Sequence, residues 1–240
     1  MALRQETDSL AGISILAGQP SGQSAAARVY DDLRQRIVDL DLPPDTVLVR
    51  NDLTEAYGVS QTPVREALQK LEQDGLVRIF PQSRTLVARI DEQQLRESQF
   101  MRVAIETEVV RRLAVEHEPA LLSRIRSLVK MQETILDDPS QMQLFSSLDR
   151  AFHATMFEAL ALKGLHTMLA RRLGHLSRCQ ALELPRQGKM QQIVADHLAV
   201  VNAIASADPE AAAEAMRRHL TGTITRIKTL RSDFPDYFTD

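Results

Sequence analysis

Tryptophan is absent from this 240-residue chain, aromatic residues make up only 4%, and cysteine occurs once, at Cys179. A single cysteine excludes an internal disulfide and a cysteine metal cluster, and it fits a reducing compartment. With so few aromatics, a core must come from Leu, Val, Ile, Ala and Met. Hydrophobic residues reach 44%, so the material is there, and the scarcity of glycine (9 residues) favours helices over a β-sandwich. No apolar run is long enough to span a membrane. The N-terminal stretch has one Arg, two acidic residues and only a short apolar segment, unlike a secretory signal. These absences lead us to expect a soluble, cytoplasmic protein.

Strong positive charge is also missing. The net charge is -3. Between Ser21 and Ile90 there are 9 Lys/Arg against 10 Asp/Glu, and only from Ser60 to Ile90 does the balance turn basic, 5 against 3. A nucleic-acid footprint, if present, must be local and must be argued from motif geometry.

The length allows two modest domains. Residues 1–23, rich in Gly, Ser and Gln, read as a disordered tail. From Ser24 to Leu40, Val29, Leu33, Ile37 and Leu40 fall at helical spacing, and Pro43-Pro44 stops the helix. Asn51 is expected to cap a short helix through Tyr57, with Gly58 just past its end. Thr62 is expected to cap the next helix, with Pro63 in its first turn. Two β-rich runs, Leu76–Phe80 and Thr85–Ile90, flank a four-residue turn and read as a hairpin. Helix, helix, turn, helix, hairpin is the order of a winged helix-turn-helix, placed at residues 24–90. Beyond Asp91 the pattern is helical, interrupted at Pro119, Pro139, Pro185–Gly188 and Pro209. This segment, 91–232, reads as an all-α bundle of six or seven helices. The fold class is therefore mainly α, and the last ten residues are expected to fray.

A short helix, a glycine turn and a second helix set the helix-turn-helix angle, and the start of the second helix meets the major groove. Gln61, Thr62 and Arg65 stand there. Gln pairs with adenine and Arg with guanine, while a hydroxyl takes base or phosphate. Arg34, Asn51, Ser60 and the turn residue Arg84 complete the DNA-contact candidates.

The second half places polar groups on apolar stripes. Asp149 and His153 are four apart on one face, with Met142, Phe145, Phe152, Met156 and Leu160. His197 shares a stripe with Met190, Ile193, Val194, Val201 and Ile204. His219 shares one with Ala212, Ala215, Met216 and Thr223. Such groups need partners inside a core. One carboxylate and three imidazoles suit a divalent transition metal (Zn, Ni or Fe), with positions left open for water or an effector. The alternative for each residue alone is a satisfied core group. Arg102 lies on a stripe with Val109 and Leu113. It offers a planar fork for a carboxylate, or a plain pair with Glu106. Arg172, among Leu165, Leu169 and Leu176, is a second effector candidate.

The string Val59-Ser60-Gln61-Thr62-Pro63-Val64-Arg65-Glu66-Ala67-Leu68 resembles the GntR family of bacterial regulators. Gln61 stands where that family usually has Arg, and Ser83-Arg84 where many members have Arg-Gly. The segments Asp149–His153, Asp196-His197 and Arg218-His219-Leu220 resemble the FCD effector-binding domain of the FadR-like subfamily, in its metal-binding form. The resemblance implies a homodimer that binds a double-stranded DNA operator, most commonly as a repressor, and responds to a small organic acid. A metal-dependent enzyme, or a regulator with a purely structural metal, is the alternative.

Overall fold

A computed structural model describes residues 23–81 and 83–239. The expected tail at 1–23 thus falls, Gln23 apart, outside the described residues. The chain divides into two compact units, one ending at Ile90 and the other starting at Asp91.

In the first unit, α1 (Ala25–Val38) starts where the Ser24 hydroxyl accepts a hydrogen bond from Ala27 N at 3.2 Å. It buries Val29, Tyr30, Leu33, Ile37 and Val38. Helix α2 (Arg50–Tyr57) ends at Gly58, whose φ of 61° reverses the chain without a Cβ penalty. Helix α3 (Gln61–Gln73) follows, burying Val64, Ala67, Leu68 and Leu71 against α1. Strands β1 (Val77–Ile79) and β2 (Thr85–Val87) pair antiparallel, Val77 opposite Val87 and Ile79 opposite Thr85. Val47 bridges to Leu86 and extends this small wing. Leu33, Ile37, Leu53, Leu68 and Leu71 are fully buried in one core. Truncating any one of them to Ala removes a packed side chain at a cost of about 2–5 kcal/mol.

Two expected caps shift. The residue before α2 is Val49, and Asn51 lies inside the helix. Helix α3 begins after Ser60, so Thr62 is already helical. Neither start carries a side-chain cap bond. In both, the turn geometry set by the packed core outweighed the local capping preference.

The second unit is all helical. It contains α4 (Glu92–Val115), α5 (Pro119–Glu133), α6 (Met142–Ala159), α7 (Lys163–Arg172), α8 (Gly174–Glu183), α9 (Lys189–Ala205), α10 (Pro209–Thr221) and the short α11 (Ile227–Asp233). Acidic N-caps start two of them: Asp91 accepts from Gln94 N at 2.9 Å, and Asp208 accepts from Ala211 N at 2.9 Å, with Pro209 at the first helical position. Helix α4 packs along α10 and also meets α9 and α6, while α5 lies between α6 and α9. Phe145, Phe152, Met156, Val194, Val201 and Met216 fill the shared core. The chain end departs from the expected fraying: α11 runs to Asp233, a 3-10 turn follows, and Phe238 is 2% exposed.

The inner face of α4 is unusual. It buries Ser98, Gln99, Arg102, Glu106 and Thr107 beside Val109, Val110 and Leu113. Buried polar groups cost several kcal/mol unless bonded, so this face must meet polar partners.

Candidate functional site

In the first unit, Ser60, Gln61, Thr62 and Arg65 are all exposed at the start of α3. The first N–H groups of the helix lack a side-chain cap there and are oriented to meet an anion. Asn51 is exposed on α2, and its Oδ1 accepts from Gln61 Nε2 at 2.8 Å. The predicted base-reader Gln61 is thus oriented by Asn51, itself a DNA-contact candidate as well as the expected cap. Arg84 is exposed in the wing, its guanidinium 5.5 Å from the Phe80 ring centre, as is that of Arg78. Arg34, on α1, is half-buried. A cleft of about 240 Å³ separates the wing from the start of α2, lined among others by Arg50, Asn51, Phe80, Ser83 and Arg84. Arg50 escaped the sequence reading. Its signal, a cation at the first position of a short helix, was outweighed by the cap assigned to Asn51.

In the second unit, Asp149 and His153 on α6, His197 on α9 and His219 on α10 come together, each offering one ligand atom within 4.8 Å of the others. His197 is fully buried and His153 is 4% exposed. The His153 and His219 Nε2 atoms are 3.2 Å apart, and His197 Nε2 lies 3.4 Å from Asp149 Oδ1. Phe152 stacks on the His197 ring, centres 3.9 Å apart.

Electrostatics keep these groups in ligating form. Burial pushes the His197 imidazole down, and burial together with its histidine neighbours pushes His219 well down, so both stay neutral. For Asp149, burial acts to raise the pKa. The bond to His197 and the fields of His153 and the other rings outweigh it and hold the carboxyl below its usual range. Among the described residues, the buried His219 Nδ1 has no hydrogen-bond partner. A carboxylate and three imidazoles, converging from three helices, form a donor set that fits a divalent transition metal.

Arg102 reaches this cluster from α4. Its Nε donates to Glu106 Oε1 at 2.7 Å, and its Nη2 is 2.9 Å from His153 Nε2. The Arg102–Glu106 pair anticipated as one alternative is therefore present, and it sits at the cluster. Burial acts to raise the Glu106 pKa, but Arg102 and His153 outweigh it and bring it down to about 2. Arg172 is elsewhere. It is exposed at the end of α7 and makes no hydrogen bond or ion pair to any cluster residue. The stripe assigned to it assumed one continuous helix, but the chain breaks at Leu173 between α7 and α8, so Leu176 belongs to a different face.

The sequence reading missed Gln132. It is fully buried on α5, and its Oε1 lies 2.8 Å from His197 Nδ1. Nothing local marks it, because its partner is 65 residues away.

Comparison with known proteins follows the division of the chain. Residues 25–87 match the family described as bacterial regulatory proteins, gntR family, and residues 97–222 match the FCD domain. An HTH-type transcriptional regulator from an unstable DNA locus of Streptomyces ambofaciens is 34% identical, over 92% of each chain. The HTH-type transcriptional repressor RspR of Escherichia coli K12 is 26% identical, over 91% of this chain and 95% of that one. Among solved structures, E. coli McbR/YncC superposes with a TM-score of 0.74 at 20% identity, covering 87% of this chain and 99% of that one.

Proposed function

The chain belongs to the gntR family of bacterial regulatory proteins and carries the FCD domain; from that premise we propose that this transcriptional regulator is a cytoplasmic repressor whose grip on its operator is set by a small organic acid bound beside a divalent metal in the helical unit. The observation that carries the reading is the convergence of Asp149, His153, His197 and His219 next to a buried arginine.

On the DNA side, Gln61 and Arg65 read base edges, Thr62 and Ser60 meet base or phosphate, and Arg50, Asn51 and Arg84 bracket a backbone phosphate. Arg34 is a further contact candidate on α1. Two copies of the chain act as a homodimer on a two-fold operator, as half-site geometry requires.

On the sensor side, Asp149, His153, His197 and His219 hold the ion. When bound, it supplies a Lewis-acid centre that favours an anionic ligand. Arg102 supplies a fixed cationic fork matched to a carboxylate. The apolar shell of Phe152, Met156 and Met216 excludes water and strengthens that attraction. Effector binding shifts the helices and re-spaces the paired readers; because half-sites follow the DNA helical repeat, a small change in spacing lowers affinity.

The test combines metal analysis of the purified protein with operator-binding titrations, with and without a panel of mono- and dicarboxylic acids. The expected result is about one divalent ion per chain and one acid class that releases DNA. DNA affinity indifferent to every acid, in protein with full metal content, would reduce the ion to a structural role. Protein free of metal after purification in metal-replete medium would remove the metal from the scheme.

A further inference from the structure

An imidazole binds a metal through a nitrogen lone pair, so the proton must sit on its other nitrogen. In solution the Nε2–H and Nδ1–H forms interconvert freely; inside a protein the partner of one nitrogen decides. Two buried side chains occupy that deciding position here, and neither is a ligand. Glu106 Oε2 is 2.6 Å from His153 Nδ1. The facing carboxylate is an ion-pair partner that favours the proton on Nδ1. Gln132 Oε1 is 2.8 Å from His197 Nδ1, so the ring donates and the amide oxygen accepts. In both rings Nε2 is then the unprotonated nitrogen: that of His153 accepts from Arg102 Nη2 at 2.9 Å and lies 3.2 Å from His219 Nε2, and that of His197 lies 3.4 Å from Asp149 Oδ1.

Both residues are costly to keep for packing alone. Gln132 is fully buried, and among the described residues its Nε2 has no hydrogen-bond partner, whereas its Oε1 meets His197. Glu106 is 2% exposed and divides its two oxygens, Oε1 to Arg102 Nε at 2.7 Å and Oε2 to His153. One carboxylate thereby orients both the ring that offers a metal ligand and the guanidinium that offers an anion fork.

We propose that Glu106 and Gln132 are positioning residues of the metal site, each holding one ligand imidazole with Nδ1 protonated and Nε2 turned to the ion, and that Glu106 also ties the site to Arg102. The proposal rests on the metal reading given above. His219 receives no such support among the described residues, where its Nδ1 has no hydrogen-bond partner.

The experiment uses the full chain stripped of metal by a chelator, with Zn²⁺ alone as the probe and a chromophoric chelator as competitor. Glu106→Gln and Gln132→Leu are expected to weaken Zn²⁺ binding by about 10–100-fold, the usual effect of losing an outer-shell partner. Gln132→Glu still presents an acceptor to His197 and is expected to stay within a few-fold of wild type. Circular dichroism of the stripped proteins reports folding. Wild-type affinity in both weakening variants overturns the proposal and leaves the metal reading intact, whereas a wild-type chain that binds no Zn²⁺ overturns both. Should the substituted chains fail to fold, ¹⁵N imidazole spectra of the stripped wild type decide: Nδ1–H forms for His153 and His197 support the proposal, and an Nε2–H form in either overturns it.

Discussion

Replacing Asp149 with Asn tests the candidate metal centre with the least disturbance to packing. Asn has nearly the same shape, and the side chain it replaces is 21% exposed, so no cavity opens. What is lost is the one carboxylate among the four donors that converge within 4.8 Å of one another. A ligand that binds only the folded protein, at 100 times its dissociation constant, stabilises by about 2.7 kcal/mol. For a unit the size of residues 91–240, each kcal/mol moves the melting temperature by roughly 2–4 °C. The wild type should therefore melt about 5–11 °C higher with Zn²⁺ at that excess than after chelation. Losing a direct ligand should weaken binding on the order of 100-fold or more, taking the loss for an outer-shell partner as the floor. At the same Zn²⁺ concentration about 0.4 kcal/mol then remains, a shift of roughly 1–2 °C. Without metal, Asp149→Asn should melt below wild type at neutral pH, because the fold holds this carboxylate ionised through its contacts with the rings and an amide cannot replace that, so each Zn²⁺ shift is read against the same protein's own metal-free melt. Differential scanning fluorimetry over a Zn²⁺ series reads all four states. An undiminished Zn²⁺ shift in the variant would refute Asp149 as a ligand.

Two further outcomes check other parts of the structure. Arg65→Ala, at an exposed position of α3, should cost operator binding about 1–3 kcal/mol while the circular dichroism spectrum and non-specific DNA binding stay near wild type; an equal loss on every DNA sequence would make Arg65 a phosphate contact instead. The Cys179 thiol is buried and pushed up to about 12, chiefly by burial, so the reactive thiolate is scarce at any pH below that. At pH 8 a thiol-labelling reagent should react far more slowly with the native protein than in denaturant, and rapid labelling of the folded chain would contradict its burial.

Much of this architecture was legible because it rests on local rules. Gly58 after α2, Pro63 in the first turn of α3 and Pro209 behind Asp208 are backbone constraints that operate within a few residues, and each lies where such a constraint places it. The apolar stripes were equally local, and so were the polar intruders on them. Asp149 and His153 share a helical face by spacing alone, and His197 and His219 interrupt apolar faces of their own. What failed did so where a local rule met a tertiary one. Asn51 and Thr62 are good caps by residue type, yet core packing begins each helix a step or two earlier. Arg172 looked inward only as long as α7 and α8 were taken for one helix.

The sequence by itself determined which residues form helices, which face of each is apolar, and which polar groups sit on those faces. Periodicity and turn chemistry act along the chain and need no partner. Tertiary structure alone decided how those faces meet. It brought α6, α9 and α10 together so that four donors share one point, and it laid α4 and α5 alongside so that Glu106 and Gln132 reach the back of two imidazoles. Gln132 and His197 are 65 residues apart, Arg102 and His153 are 51. A hydrogen bond at such separation depends on the packing of whole helices, which no local pattern encodes.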